Sequence, residues 1–361
     1  MTGGWYQVKS AAVNDVAAEY RELETRILAA LREDLRESEF AALALETHAF
    51  QKRWNTPYAN FCATRPPAKH WREIPAVPQS AFKTARLSVA PPGMIARTFR
   101  TSGTTGEGFG EHHFIDTRLY DAAVLAGWDL LVRRNVDAVI LLTPQSEDAP
   151  HSSLSQMFST LARERFGQLV FTVVNRRGVL DVGRFRAAMQ ASFVAHRPVA
   201  LLGTALAFLH LSEQLGEACC NRRRGMFAIE TGGYKGSGRK VPKEELYLRI
   251  GALFDLKADD ILNEYGMTEL SSQFYTHGLG GVHEGPPWVR ALVINPETGG
   301  EAAVGETGVL RIFDLANLGS VLTVETQDLA VRREHGFELL GRDPAALPRG
   351  CSRAADERMR A

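Results

Sequence analysis

A change of pattern part-way along the chain limits the possible folds more than any other feature. Between about residues 136 and 264, short apolar runs alternate with helix-length segments, and after Trp288 the helices stop. The runs 136–142, 169–174, 199–202, 226–230 and 260–264 read as strands. Segments 117–134, 153–166, 182–196, 205–217 and 243–254 read as helices. Strand–helix–strand repetition predicts an α/β fold with a largely parallel sheet. Beyond Trp288, segments 289–295, 308–314, 322–325, 330–333 and 338–340 read as antiparallel strands, giving a β-rich end. Upstream, 13–48 reads as helix, with Leu23, Ile27, Ala30 and Leu31 at helical spacing. Pro57, Pro66, Pro67, Pro75, Pro78, Pro91 and Pro92 then mark an extended connection, since proline cannot continue a helix. Trp54, Phe61, Trp71 and Phe82 lie among them and need burial, so this stretch is expected to drape over a core.

Composition excludes several classes. The 361 residues carry 42 basic and 42 acidic side chains, so no bulk charge drives the chain onto nucleic acid. The cysteines, Cys62, Cys219, Cys220 and Cys351, show no CxxC spacing and no disulfide framework, which suits a reducing cytoplasm. No signal-peptide pattern opens the chain, and the apolar runs 138–142 and 198–202 fall far short of the ~20 residues of a membrane span.

The stretch Thr101, Ser102, Gly103, Thr104, Thr105, Gly106 is the most informative. It presents hydroxyls and backbone N–H groups that can cradle an anion, with glycines permitting close approach. On composition alone, a polar hairpin is the commoner explanation. Neither Walker A nor a GxGxxG, GxSxG or HExxH motif is present.

Residues 102–106 resemble the phosphate loop of the adenylate-forming (acyl-CoA synthetase) superfamily, although Phe109 stands where a lysine is usual. Tyr265, Gly266, Met267, Thr268 and Glu269 resemble the second signature of that superfamily. The resemblance implies that Tyr265 stacks on adenine, Thr268 meets the α-phosphate and Glu269 ligates Mg²⁺. Gly232, Gly233 and Tyr234 resemble the turn along the adenine, Asp328 the ribose-binding aspartate, and Gly341-Arg342 the hinge that follows. Segments 74–83, 111–114, 150–154, 230–236 and 263–274 together resemble the LuxE-type acyl-protein synthetases.

The resemblance implies the large N-terminal domain of the adenylate-forming fold, with parallel-rich sheets flanked by helices and a C-terminal β-rich subdomain. The expected organisation is a helical, proline-rich region 1–98 packed on the core, an α/β nucleotide-binding core 99–287, a β-rich subdomain 288–340, and a short tail 341–361 in place of the usual small domain. That tail has no lysine, so either adenylation runs without the lysine the small domain supplies, or Arg342, Lys235 or His113 stands in for it. The implied activity is ATP- and Mg²⁺-dependent activation of a fatty or aryl carboxylic acid to acyl-AMP. Transfer to a thiol follows, with Cys351 as carrier and a partner such as a reductase or carrier protein as acceptor. Two alternatives stay open: a phenylacetate-type CoA ligase, and a non-catalytic nucleotide-binding subunit of a reductase complex. Cys62, Cys219 and Cys220 are expected in packing roles, Ser152 and Ser153 as helix caps near His151, and Arg222–Arg224 as a solvated cluster.

Overall fold

Pairing of distant segments, more than local pattern, decides how this chain divides. The computed structural model describes residues 3–101, 108–134, 136–166, 169–195, 197–216, 225–234, 239 and 241–342. In chain order, α1 (Gly3–Ala30), α2 (Glu37–Trp54) and α3 (Thr56–Cys62) lead to β1 (Val77–Pro78), to β2 (Arg97–Arg100) and β3 (Glu111–Phe114), and to α4 (Arg118–Gly127). Next come β4 (Ala138–Leu141), α5 (Ser153–Arg165), β5 (Leu169–Thr172), α6 (Val182–Val194), β6 (Val199–Thr204), α7 (Ala205–Leu215), β7 (Phe227–Thr231), α8 (Lys243–Phe254), β8 (Ile261–Tyr265) and β9 (Phe274–His277). The last described elements are β10 (Val289–Ile294), β11 (Thr307–Asp314), β12 (Thr323–Arg332) and β13 (Phe337–Arg342).

Two compact units result. The first is made of Met1–Ala126, Thr268–Ser272 and Gly285–Ala361, the second of Gly127–Met267 and Gln273–Glu284. The proline-rich region and the β-rich end, separated in sequence by the α/β segment, therefore share one unit.

The second unit holds a six-stranded sheet in the order β5-β4-β6-β7-β8-β9, parallel except for β9. Its central strands are buried along their length, as near-continuous apolar runs demand when both faces are covered. Ile140, Leu201, Ala228 and Ile261 pack against Phe208 of α7 and Ile250 and Phe254 of α8. The five parallel strands have the type expected from sequence, with ends differing by at most two residues. Ser152 caps α5 by accepting the Ser155 N–H at 3.1 Å.

The first unit holds a five-stranded sheet: β1, β12, β11 and β10 in that order, with β13 also on β12. Helix α2 is fastened to the segment after β11 by the fully buried Gln51. Its Nε2 donates to the carbonyls of Asn317 and Leu318 at 2.9 and 3.1 Å, and its Oε1 accepts the Leu322 N–H at 2.7 Å. Trp71, fully buried, packs edge-on against Phe40 of α2 and Phe313 of β11. Phe61 and Phe82 are buried too and Trp54 partly, so the proline-rich stretch does cover a core. It is not extended throughout, because Pro57 lies in the first turn of α3, where its missing N–H costs no helical hydrogen bond.

Three further expectations are corrected. The helix read over 13–48 is two helices. Glu39 reaches back to accept the Arg36 N–H at 3.0 Å, and Glu37 and Glu39 place negative charge in the first turn, so α2 starts afresh. The strands read over 322–325 and 330–333 are one strand, β12, because its polar residues alternate with buried ones and do not interrupt it. The helix read over 117–134 gives way to a π-type turn at Trp128–Val132, ended by Arg133 in the left-handed region at φ 50°.

Gln51→Leu should strand two carbonyls and one N–H in the core and cost about 3 kcal/mol of unfolding free energy. Urea denaturation of the variant checks this; an unchanged midpoint would show that water replaces the side chain.

Candidate functional site

The short segment Thr268–Ser272 belongs to the first unit and is held there by buried polar groups at nearly every residue. His112, on β3, is buried, and burial pushes its imidazole down to about 4. It is therefore neutral, and its Nδ1 donates to the Thr268 carbonyl at 2.8 Å. Glu269 is buried. Its Oε1 accepts Gln79 Nε2 at 3.1 Å and its carbonyl accepts Asn317 Nδ2 at 2.9 Å. Ser271 Oγ donates to Asn317 Oδ1 at 2.7 Å. Asp314, at the end of β11, accepts the N–H groups of Ser271, Ser272 and Ala316 and the Ser272 hydroxyl, all at 2.8 to 3.0 Å.

The strands flanking residues 101–110 form a hairpin. β2 pairs antiparallel with β3, and beyond their paired residues Thr101 N–H donates to the Gly110 carbonyl at 2.9 Å while Gly110 N–H donates to Thr101 Oγ1 at 2.9 Å. The loop that resembles a phosphate cradle thus starts and ends at one point. Ser102, Gly103, Thr104, Thr105 and Gly106 themselves lie outside the described residues. Phe99, Phe114 and Tyr120 pack with ring centroids 5.0 to 5.8 Å apart beneath the hairpin.

His113, next along β3, points to the other face, where Nδ1 lies 3.0 Å from Thr98 Oγ1 and Nε2 lies 3.7 Å from Glu111. Burial, aided by Arg86, lowers its pKa. Asp328 and Arg342 are opposite each other in the β12–β13 pair, with Arg342 Nε 3.8 Å from Asp328 Oδ1. Cys351 and Lys235 lie outside the described residues, as do Cys219, Cys220 and Arg222–Arg224. Cys62 is buried in α3, as expected.

In the second unit, the carboxyl ends of the neighbouring parallel strands β7 and β8 carry the remaining candidates. Thr231 stands opposite Glu264 in the register, so the turn at Gly232, Gly233 and Tyr234 and the turn at Tyr265 and Gly266 leave the same edge. In open α/β sheets this edge is where ligands bind. Gly232 takes φ 68°, a conformation that suits a residue with no Cβ. Tyr265 is buried, with Phe274 and His283 rings 6.1 and 6.0 Å away.

Behind that edge lies a buried polar cluster that motif reading passes over. Asn263 Nδ2 donates to Glu230 Oε1 at 2.8 Å, Tyr247 donates to the same oxygen at 3.1 Å, and Lys243 Nζ is 3.6 Å from it. His283 Nε2 donates to Asn263 Oδ1 at 2.7 Å. On the opposite face of the sheet, Glu264 Oε2 accepts the Thr231 hydroxyl. Burial raises the Glu264 carboxyl to about 7; the Thr231 hydroxyl pulls it down and the charge of Glu230 pushes it up.

Glu269 is one carboxylate, and among the described residues no three His, Cys, Asp or Glu side chains gather to hold a metal. That donor set fits Mg²⁺ arriving on phosphate oxygens, which needs only one or two carboxylates, and not a built cage. No helix of the described residues is long and apolar enough to cross a membrane.

Gln79, His112, Asp314 and Asn317 are the residues that sequence reading did not assign. Gln79 lay inside the quoted segment 74–83 and His112 inside 111–114, so for those two a signal existed. Asp314 and Asn317 carried none.

The fold is that of the large N-terminal domain of the adenylate-forming enzymes: a 2-hydroxyisobutyryl-CoA ligase, solved with 2-HIB-AMP and CoA, matches at TM-score 0.60 with 16% identity, over 88% of this chain and 73% of its own. Among curated proteins, the chain is similar to the long-chain-fatty-acid–luciferin-component ligase of Aliivibrio fischeri, 23% identical over 305 residues, which are 81% of this chain and 79% of that protein. This relative agrees with the LuxE-type resemblance of the motifs. ATP-bound MatB from Rhodopseudomonas palustris matches at 19% identity and TM-score 0.49, over 69% of this chain and 48% of its own, so the chain spans about half of that protein. No family model matches the chain.

Glu264 yields a prediction with a definite sign. The folded chain keeps a proton on Glu264 up to about pH 7, whereas an ordinary glutamate loses it at 4.5. Between those values the folded state binds more protons, so stability falls as pH rises through the window and stays reduced above it. Relative to Glu264→Gln, the wild type should lose on the order of 3 kcal/mol across that window. Urea unfolding of both proteins from pH 4 to 8 checks this; parallel curves would mean that Glu264 ionises as if in water.

Proposed function

We propose that this chain is an ATP-dependent acid–thiol ligase that makes an acyl-adenylate and passes the acyl group to a thiol. The observation that carries this reading is the fastening of Thr268 and Glu269 within the unit that also holds the 101–110 hairpin. His112 connects the two directly, from β3 of the hairpin to the Thr268 carbonyl. A phosphate-handling site needs donors and a carboxylate preset in place, since reorganising them during the reaction would forfeit their advantage.

The proposed roles follow the motif resemblance. Gly232, Gly233, Tyr234, Tyr265 and Gly266 receive the adenine. Asp328 accepts the ribose hydroxyls, with Arg342 beside it. Thr101, Ser102, Gly103, Thr104, Thr105 and Gly106 cradle phosphates, and Thr268 meets the α-phosphate. Glu269 would hold Mg²⁺, which when bound supplies neutralisation of phosphate charge. His113 is poorly suited to supply a cation, because Thr98 and Glu111 occupy it and burial lowers its pKa.

A carboxylate oxygen of the acid attacks the α-phosphorus, the bond to the β-phosphate oxygen breaks, and pyrophosphate leaves. A thiolate then attacks the acyl carbon, and AMP leaves with the shared oxygen. Cys351 is the proposed thiol, as in the LuxE-type resemblance, and a partner protein the final acceptor. The curated relative's name puts long-chain fatty acids first among the acids to test.

Glu269→Gln should abolish ATP–pyrophosphate exchange, a loss of at least about a thousandfold, while leaving the unfolding transition in place. Exchange at the wild-type rate would remove the carboxylate from the reaction. Cys351→Ser should retain exchange and lose acid-labelled protein. Labelling that persists would move the acyl carrier elsewhere, and CoA consumed in step with AMP release would make CoA the acceptor.

A further inference from the structure

Glu264 is a buried carboxyl that the proposed reaction leaves unused, and it sits where two adenine-assigned turns leave the sheet. Its backbone is paired with Thr231 on β7 and with Tyr275 on β9. The Thr231 hydroxyl donates to Oε2. Oε1 occupies the space beside Gly266, where a Cβ built on that glycine would collide with it. One side chain thus holds the last residue before Gly232-Gly233 and fills the space beside the turn that follows Tyr265. Oε2 is hydrogen-bonded to the first place, and Oε1 lies against the second.

We propose that Glu264 is a positioning residue for the nucleotide, a clamp that fixes the Gly232-Gly233 turn and the Tyr265-Gly266 turn at the spacing adenine requires. The inference rests on the adenine assignment made above. Nothing in it requires Glu264 to touch ATP. A flat ring is gripped only when the surfaces on it keep a set separation, so loosening the clamp weakens ATP binding and leaves the acid and the chemical step largely alone.

The groups facing Glu264 decide how the clamp responds to pH. From β7 they are Thr231, which donates, and Glu230, whose charge opposes ionisation; from β9 it is Tyr275, buried beside it. Among the described residues no cation shifts it. With one hydroxyl donor and no counter-charge among those residues, the protonated form is the one the pocket holds well. ATP affinity should accordingly weaken as pH rises through 7.

The test uses the full chain with Mg²⁺ and ATP. It measures the ATP dissociation constant by calorimetry, and KM for ATP and for the acid in pyrophosphate exchange, from pH 6 to 8.5. Glu264→Ala and Thr231→Val should each raise the ATP constants about tenfold, with kcat and the KM for the acid within about threefold of wild type. Glu264→Gln, which keeps the shape without the charge, should restore ATP affinity and remove its pH dependence. Thr231→Val carries the test if Glu264→Ala does not fold. Unchanged ATP constants in Thr231→Val, an equal loss for ATP and acid, or a Glu264→Gln profile that still bends at pH 7 would each overturn the clamp. Wild-type protein that binds ATP but shows no exchange would sink the ligase reading and leave the clamp to stand or fall on the dissociation constants. No ATP binding at all would overturn both.

Discussion

The buried carboxylate of Asp314 is the interaction on which the candidate site of the first unit depends. A carboxylate without partners inside a protein costs several kcal/mol, so it is tolerated only where donors surround it. Asp314 has four, three backbone N–H groups and one hydroxyl, and two of the N–H groups belong to Ser271 and Ser272. That demand draws the end of β11 and the motif segment together. Asn317, three residues further on, fixes the carbonyl of Glu269 and takes the Ser271 hydroxyl with its other end. Gln51 in turn grips the carbonyls of Asn317 and Leu318 from α2. The polar chain from α2 to Glu269 is continuous, and each member satisfies the next. Such networks are rigid when complete, because every broken link leaves a buried group unpaired.

The second unit solves a different problem. A parallel sheet covered on both faces needs apolar strands, yet the carboxyl ends of β7 and β8 carry Glu230, Thr231, Asn263 and Glu264, all buried. Strand alternation separates them into two sets. Glu230 and Asn263 face α8, where Tyr247 and Lys243 answer them, and Thr231 and Glu264 share the opposite face. The set facing α8 has a cation and is well supplied with donors. The set on the other face has one hydroxyl among the described residues. Burial raises both carboxyls; Lys243, Tyr247 and Asn263 oppose the rise at Glu230, whereas at Glu264 the Thr231 hydroxyl alone is set against it and the carboxyl reaches about 7.

How much of this could be read from sequence depended on how local each cause was. The strands and helices of the second unit were legible because parallel strands are apolar runs and the helices carry their own periodicity; α8 matches its expected span from end to end. The hairpin β2–β3 was legible only as the polar-hairpin reading of 101–106; its four-residue strands were not, since they acquire meaning only by pairing. The motif residues Tyr265, Thr268 and Glu269 were found by resemblance, but the residues that hold them were not. Gln79 meets Glu269 across 190 positions of chain, and Gln51 meets Leu322 across 271. Nothing near Asp314 in the sequence marks it as a buried anchor, because three of its four donors arrive from residues more than forty positions upstream. The adjacent pair His112-His113 shows the same limit at short range. Sequence reading put His113 forward, but strand alternation gives the buried link to Thr268 to His112 while turning His113 toward Thr98.

The Gly341-Arg342 pair shows how a two-residue motif can have a geometric reason. On β12 the inward positions are Thr326, Asp328 and Ala330, so a residue that is to meet Asp328 must reach it on that face. β13 pairs Glu338 with Val331 and Leu339 with Ala330, and then Gly341, not Leu340, pairs with Leu329. One extra residue is accommodated there, a bulge, and since side chains alternate with period two, a single inserted residue exchanges the two faces of everything beyond it. Arg342 is thereby brought opposite Asp328, where regular pairing would have set Gly341. The bulge needs a residue that accepts positive φ, and Gly341 takes φ 100°, a region closed to side chains with a Cβ. A larger residue at 341 would resist the bulge and return β13 to regular register, with Arg342 carried past Asp328. The glycine and the arginine form one device: the first sets the register, and the second delivers its charge to the aspartate that the register exposes.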